Sequence, residues 1–214
     1  MDGRGRRGAV RVLSRWIFLR HGQSTANRDG VFSGHQDVHL TPAGRLQAQA
    51  AGRSLAAESV SRVLVSDLSR ARQTATHAME AWSAVRGESP PTETVLHGLR
   101  ERHLGEWQGR CRADMRATGE NAPLLTWDGA APGGESLAAL SRRALTALAE
   151  QPDIAGTTLV VSHGGTMRAV LGLLDTQAPD QLATTVIANC VPVFRDVSPG
   201  RWAETLASLP AHRG

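Results

Sequence analysis

Polar side chains capable of chemistry follow short apolar runs at several points of this chain. Four such runs end in a stretch that carries a histidine, an arginine or a glutamate: Arg20-His21, Ser66 to Arg70, Arg100 to His103, and Ser162-His163. In sheets of parallel strands, ligands bind beyond the carboxyl ends of the strands. Because the same residue types recur at four such ends, we predict that they meet in one site.

These residue types are the ones that phosphoryl transfer requires. A neutral imidazole nitrogen can attack phosphorus and form a covalent intermediate, provided that an acceptor holds its other nitrogen. Guanidinium groups bind phosphoryl oxygens, a second histidine can stabilise the transferring group, and a carboxylic acid can protonate the leaving oxygen. The candidates in that order are His21 as nucleophile, Arg20 and Arg70 as anion ligands, His163 as second histidine, and Glu101 as acid.

The elements that must position these residues alternate between β-rich runs and helical stretches. Strands are predicted at 16–19, 63–65, 92–96 and 157–161, with one or two more within 184–197 and a last one at 202–206. Helices are predicted from Thr41-Pro42 to residue 55, and at 69–85, 135–150 and 166–174. Continuous apolar strands indicate a sheet covered on both faces, so we predict an α/β fold, a three-layer α/β/α sandwich with a mostly parallel central sheet.

The chain has the length of one domain, and we predict a flexible basic tail at 1–14 followed by a single domain at 15–210. The stretch 110–134 has weak hydrophobic periodicity, and we interpret it as a segment that passes over one edge of the sheet. A lid over the site is one interpretation of such a segment. No apolar run approaches the length of a membrane span, and no apolar signal core follows the basic start, so we expect a cytoplasmic protein.

Composition favours an anionic ligand and disfavours other partners. All 24 basic residues are arginine, the formal net charge is +4, and aromatic residues make up only 4% of the chain. Scattered arginines with few aromatic residues argue against nucleic-acid binding, whereas a modest positive field favours small anions. Cys111 and Cys190 form neither a disulfide framework nor a metal-binding pair by spacing, and we interpret them as inert thiols.

The motif "LRHGQSTAN" resembles the signature of the histidine phosphatase superfamily, also called phosphoglycerate mutase-like. The similarity continues through "FSGHQDVHLTPAGRLQA", "VSDLSRARQTA", "LRERHLGEWQG", "PGGES" and "VVSHGG", and covers nearly all of residues 16–175. This resemblance implies an α/β sandwich and a phosphohistidine intermediate, with no metal or other cofactor.

Position by position, the resemblance implies that His21 is the phosphorylated histidine and Glu101 the proton donor, with Arg20, Arg70 and His163 around the phosphate. Asn27 matches a phosphate-pocket asparagine, and Ser33 and Gly34 match a pair that contacts substrate. We add Gly164 and Arg102 to this expected substrate-binding set. Arg102 and His103 could line the substrate side of the pocket.

The resemblance favours phosphatases over mutases. Mutases of this family place a lysine on the substrate and carry paired arginines before Ser-Tyr-Asp, but this chain has neither lysine nor tyrosine. "GEWQG" and "PGGES" are similar to the phosphatase branch, including actinobacterial glucosyl-3-phosphoglycerate phosphatases and broad-specificity phosphatases. We therefore expect a monomeric or homodimeric phosphatase that acts on a small phosphorylated metabolite, a sugar phosphate or phosphoglycerate-type ester, with no nucleic-acid or membrane partner. The alternatives are a cofactor-dependent phosphoglycerate mutase and a non-catalytic protein that binds a phosphorylated ligand.

Overall fold

A computed structural model describes residues 13–179, 181–183 and 185–210, and a five-stranded sheet lies at its centre. In chain order the strands are β1 (Ser14–Arg20), β2 (Val60–Val65), β3 (Glu93–Val95), β4 (Thr157–Ser162) and β5 (Val193–Val197). Their spatial order is β3-β2-β4-β1-β5, and only β5 runs antiparallel to its neighbour. The predicted α/β fold with a mostly parallel sheet is confirmed.

Helices cover both faces of this sheet. They are α1 (Thr25–Arg28), α2 (Pro42–Ser54), α3 (Ser69–Arg86), α4 (Arg112–Ala117), α5 (Leu137–Ala149), α6 (Gly164–Leu174) and α7 (Arg201–Ala207). The helix expected at Thr41-Pro42 begins there, because the Thr41 hydroxyl accepts a hydrogen bond from the Gly44 N–H and proline occupies the first helical position. Among the described residues, no helix is both long enough and apolar enough to cross a lipid bilayer.

The side chains of β1 show why the sheet is covered on both sides. Ile17 and Leu19 pack into a core with α2 and α3, whereas Trp16 and Phe18 pack into a second core with α5, α6 and α7. Successive side chains of a strand point to opposite faces, so an uninterrupted apolar strand needs a helical layer on each face. The predicted three-layer arrangement follows from this alternation.

The strand predicted at 202–206 is wrong, because these residues belong to helix α7. Trp202 packs edge-on against Trp16 and Phe18, with ring centroids 5.1 and 6.0 Å apart, and Thr205 is buried three positions later on the same helix. A five-residue apolar and polar pattern fits both a strand and a short helix, and the sequence alone does not decide between them.

Two other expectations concern residues at the margins of the described ranges. The region 184–197 contributes one strand, β5, and Thr184 itself lies outside the described residues. Of the predicted tail, residues 1–12 also lie outside them, while Ser14 begins β1 and pairs with Val197.

Candidate active site

The carboxyl ends of three neighbouring parallel strands bring the predicted residues together. Arg20 ends β1 and His21 follows it, His163 follows β4, and Ser66 follows β2. The His21 N–H donates to the Ser162 carbonyl at 2.9 Å, which joins the first two strand ends. The rings of His21 and His163 consequently lie 5.2 Å apart between centroids, although the residues are far apart in sequence.

The backbone around His21 selects one tautomer of its ring. Nδ1 lies 2.7 Å from the Gly22 carbonyl oxygen. A carbonyl oxygen can only accept, so Nδ1 carries the proton and Nε2 keeps its lone pair. A Cβ atom at Gly22 would collide with the carbonyl oxygen of Gly44 in α2, so this turn requires glycine. The ring is therefore held as a neutral imidazole with a free nucleophilic nitrogen.

Burial keeps both histidines neutral. The pKa of His21 is lowered well below its usual value, first by desolvation and then by the charges of Arg70 and Arg20. Desolvation also lowers the pKa of His163 well below its usual value, with Arg70, His21 and Arg20 adding to the effect. An uncharged imidazole is the form that can attack phosphorus, so burial holds His21 in its reactive state.

Three buried nitrogens close to His21 have no hydrogen-bond partner among the described residues: Arg20 Nε, Arg70 Nε and His163 Nδ1. The rest of each side chain is anchored, because Arg20 Nη1 donates to the Ile187 carbonyl at 2.6 Å and Arg70 donates to the carbonyls of Gly34 and Gln36. An unsatisfied buried polar group costs about 1–3 kcal/mol. A bound anion would satisfy such groups.

His163 is anchored from the opposite side of its ring. Its Nε2 lies 2.8 Å from the Ser66 hydroxyl oxygen, which leaves Nδ1 unpartnered and fully buried. Desolvation lowers the pKa of Arg70 to about 10, which still leaves its guanidinium charged at neutral pH. Two positive guanidinium groups and a fixed imidazole therefore flank His21.

Asn27 contributes a further donor, and a residue absent from the predicted set orients it. The Asn27 side-chain oxygen accepts from the Ser24 N–H at 3.2 Å and from Asn189 Nδ2 at 3.4 Å, so its amide nitrogen remains for a ligand. Asn189 Nδ2 also donates to the His21 carbonyl at 2.6 Å. Nothing in the sequence distinguishes Asn189 from any polar residue in a loop before a strand.

Glu101 reaches the site from the segment that follows β3. Its carboxylate accepts from the Arg102 N–H at 2.8 Å and from the Gly165 N–H at the start of α6 at 3.0 Å. Its backbone carbonyl accepts from His35 Nε2 at 2.6 Å. This carboxylate lines the same cavity as His21, which is the arrangement that the sequence predicted.

The role expected of Arg102, substrate binding, stays a prediction. Arg102 lines the cavity, but its guanidinium donates to the carbonyls of Glu135 at 2.7 Å, Leu124 at 3.0 Å and Gly129. Desolvation lowers the pKa of Arg102 to about 10. These three bonds connect Arg102 to the stretch 110–134 and to Glu135, and two of its five guanidinium N–H groups remain. Adjacency to Glu101 in the sequence could not reveal the direction of the side chain.

The cavity has a volume of about 430 Å³. Most predicted site residues line it: Arg20, His21, Asn27, Ser33, Gly34, Glu101, Arg102 and Gly164. Arg70 and His163 are fully buried beside His21, and His103 packs against the His35 ring, with 4.8 Å between centroids, without lining the cavity. The stretch 110–134 forms one wall through residues that include Arg112, Arg116 and Leu125.

The lining of the cavity combines apolar and basic side chains. Phe32, Leu137 and Leu140 are among its apolar members. Arg112 and Arg116 add positive charge, and neither forms an ion pair with any residue that the structure describes. Over those same residues, no group of three histidine, cysteine or acidic side chains could hold a metal ion.

A buried neutral histidine among arginines at the carboxyl edge of a mostly parallel sheet is the arrangement that phosphoryl transfer to histidine would require. The model of the histidine phosphatase superfamily (branch 1) matches residues 16–208 of this chain. The chain therefore belongs to the histidine phosphatase superfamily, as the motifs predicted.

Similar proteins include both mutases and phosphatases. A 2,3-bisphosphoglycerate-dependent phosphoglycerate mutase 2 from Gloeobacter violaceus is 36% identical, with 89% of each chain covered. The structure of a mycobacterial glucosyl-3-phosphoglycerate phosphatase complexed with VO3 superposes with a TM-score of 0.73 at 28% identity, covering 85% of this chain and 90% of that one. A putative alpha-ribazole-5'-P phosphatase from Escherichia coli has a TM-score of 0.74 at 27% identity, covering 87% and 92%.

Proposed function

We propose that this protein is a phosphatase that hydrolyses small phosphate monoesters through a phosphohistidine on His21. One observation carries the proposal: a neutral His21 with an unprotonated Nε2 lines a cavity, next to buried nitrogens that lack partners among the described residues. These nitrogens belong to Arg20, Arg70 and His163. A phosphoryl group seated there would receive hydrogen bonds that the protein itself does not use.

In the first step, His21 Nε2 forms a bond to phosphorus while the bond from phosphorus to the ester oxygen breaks. Glu101, in its protonated form, gives its proton to the departing oxygen, so the alcohol leaves neutral. Arg20, Arg70 and His163 stabilise the negative charge on the transferring group, and Asn27 adds an amide donor. The proton on His21 Nδ1 stays there, and its hydrogen bond to the Gly22 carbonyl strengthens as the ring gains positive charge.

In the second step, water attacks the phosphorus of phosphohistidine and the nitrogen–phosphorus bond breaks. Glu101, now a carboxylate, accepts a proton from the attacking water and returns to its starting state. Inorganic phosphate leaves, and His21 is again neutral. The same carboxyl group therefore serves both half-reactions.

The positive charge of the cavity lining favours a substrate whose leaving group is itself anionic. Arg112 and Arg116 line the cavity without an ion-pair partner in the described chain. A phosphoglycerate-type ester would place its carboxylate within reach of such groups, and guanidinium–carboxylate pairs are strong and directional. Glucosyl-3-phosphoglycerate, named for the mycobacterial relative, combines this carboxylate with a sugar and belongs in the substrate panel.

Hydrolysis is supported over isomerisation by the exposure of the cavity mouth. A mutase must keep water from its phosphohistidine until the group returns to substrate. Here the lining residues Leu125 and Val186 are 49% and 88% exposed, so the cavity opens to solvent. The second candidate is a phosphoglycerate mutase, which the 36% identical relative from Gloeobacter violaceus favours.

Two measurements on one preparation test the proposal. Phosphate release is measured from phosphoglycerates, sugar phosphates, glucosyl-3-phosphoglycerate and nitrophenyl phosphate, and interconversion of the phosphoglycerates is followed with and without 2,3-bisphosphoglycerate. We expect phosphate release without that compound and no interconversion. Interconversion without phosphate release would instead identify a mutase.

The intermediate is tested by an alkaline denaturing quench during turnover with a phosphorus-labelled ester. We expect an acid-labile, base-stable label on the protein, absent together with activity from His21→Ala and retained by His39→Ala, a variant of an exposed histidine. A fully active His21→Ala protein would overturn the assignment. A wild-type protein that binds phosphate but neither takes up label nor releases phosphate would be a binding protein.

A further inference from the structure

An ion pair beside the cavity joins Glu135, which precedes α5, to Arg143 within α5. Arg143 Nε donates to Glu135 Oε1 at 2.9 Å, and Nη2 donates to Oε2 at 2.7 Å. The side chain of Glu135 is 15% exposed, and that of Arg143 is 27% exposed. A bidentate pair of this kind is geometrically rigid, which suits it to hold a neighbour in place.

The neighbour is the segment that carries Glu101. Arg143 Nη1 donates to the carbonyls of Gly98 at 2.8 Å and Arg100 at 3.2 Å, and Nη2 also donates to the carbonyl of Glu101 at 3.3 Å. On the far side, Glu135 Oε2 accepts from the His103 N–H at 3.2 Å. The pair therefore contacts the backbone before, at and after Glu101.

The Glu101 carboxylate touches neither member of this pair. Its oxygens accept from the N–H groups of Arg102 and Gly165, so its position depends on where the backbone at 101–102 lies relative to α6. The segment also approaches α5 closely, because a Cβ atom at Gly98 would collide with the Ala147 Cβ. Small displacements of a reacting group can reduce a rate about a hundredfold.

We propose that Glu135 and Arg143 form a positioning unit for Glu101: they hold segment 98–103 so that its carboxyl group reaches the ester oxygen. This inference rests on the proposed function, since it presupposes that Glu101 transfers the proton. The pair acts through backbone carbonyls and never contacts substrate. Partly burying two charges is a costly way to add stability alone, which favours a geometric role.

A positioning role predicts dependence on the leaving group. Proton donation matters for a poor leaving group such as glycerol, whereas nitrophenolate departs without help. We expect Arg143→Gln to slow phosphorylation of His21 by glycerol phosphate about 10- to 100-fold and by nitrophenyl phosphate less than about threefold, measured by rapid quench. Glu135→Gln should follow the same pattern more weakly, and Arg143→Lys should fall between wild type and Arg143→Gln because it keeps the charge but loses the fork.

Arg86 provides a matched control. It is a partly exposed arginine that donates to the Ala56 carbonyl and pairs with Glu88, outside the cavity lining. Arg86→Gln should leave both phosphorylation rates unchanged. Vanadate affinity reports on the phosphoryl pocket itself, and we expect Arg143→Gln to keep it within about twofold because Arg20, His21 and Arg70 are untouched.

A double-variant comparison decides the inference. In a Glu101→Gln background, Arg143→Gln should have no further leaving-group effect, because the group that it positions is already gone. If the losses of phosphorylation rate from Arg143→Gln and Glu101→Gln are additive, the pair only supports the fold. The same conclusion follows if Arg143→Gln and Glu135→Gln each slow phosphorylation by the two esters equally. If Glu101→Gln alone shows no leaving-group dependence, the proton-transfer role in the proposed function fails instead. If Arg143→Gln does not fold, Glu135→Gln and Arg143→Lys carry the same comparison.

Discussion

The two buried imidazoles should make the stability of this protein depend on pH below neutrality. His21 is 3% exposed and His163 is fully buried. Desolvation first, and then the nearby arginine charges, lower the pKa of each ring well below 6.5 in the folded protein. In the unfolded chain both rings titrate near that ordinary value. Below it, the unfolded state therefore binds more protons than the folded state.

The size of the effect follows from this difference in proton binding. The free energy of unfolding is unaffected by these groups above about pH 6.5, and it falls as the pH drops below that value, by about 1.4 kcal/mol per pH unit for each histidine. Between pH 7 and pH 5, each ring should cost up to about 2 kcal/mol, and both together up to about 4 kcal/mol, the upper limit that unfolded-state proton binding sets. The loss continues until the pH reaches the lowered pKa of the folded state.

Urea unfolding in phosphate-free buffers between pH 7 and pH 5 measures this dependence. The absolute stability of His163→Gln will differ from wild type because the contact with Ser66 changes, but its pH dependence is the informative quantity. We expect its loss between pH 7 and pH 5 to be smaller than that of wild type, by up to about 2 kcal/mol. His39→Gln, at an exposed position, should parallel wild type. A His163→Gln curve parallel to wild type would refute the claim that the buried ring stays neutral.

Two further outcomes follow from the cavity. Replacing Arg112 or Arg116 by glutamine should raise the KM for phosphoglycerate-type esters about tenfold, which corresponds to about 1.4 kcal/mol. The KM for nitrophenyl phosphate should change less than about twofold. Equal changes for both esters in steady-state assays would show that these arginines do not recognise the leaving group. Prolonged treatment with EDTA should leave the rate of phosphate release unchanged, because the proposed steps use only side chains of this chain. A loss of activity that added magnesium or zinc restores would contradict that mechanism.

Much of the fold was predictable because its signals are local. The Thr41-Pro42 helix start, the apolar strands and the alternation of strand and helix each depend on a few adjacent residues. Helix α7 was mispredicted because the burial of Trp202 against Trp16 and Phe18 decides its conformation, and those partners lie at the other end of the chain. A short pattern that fits two periods is resolved only by what it packs against.

The sequence by itself determined which residue types stand at the strand ends and to which family they belong, since motif spacing and apolar periodicity are properties of the linear chain. Only the tertiary structure decided which polar groups are free to bind a ligand. Among the residues that the structure describes, Arg20 and Arg70 each keep a buried nitrogen without a hydrogen-bond partner, whereas every nitrogen of Arg102 donates to a carbonyl 22, 27 or 33 residues away. The physical reason is that a long side chain takes its role from hydrogen-bond partners, and packing, not sequence adjacency, brings those partners within 3 Å.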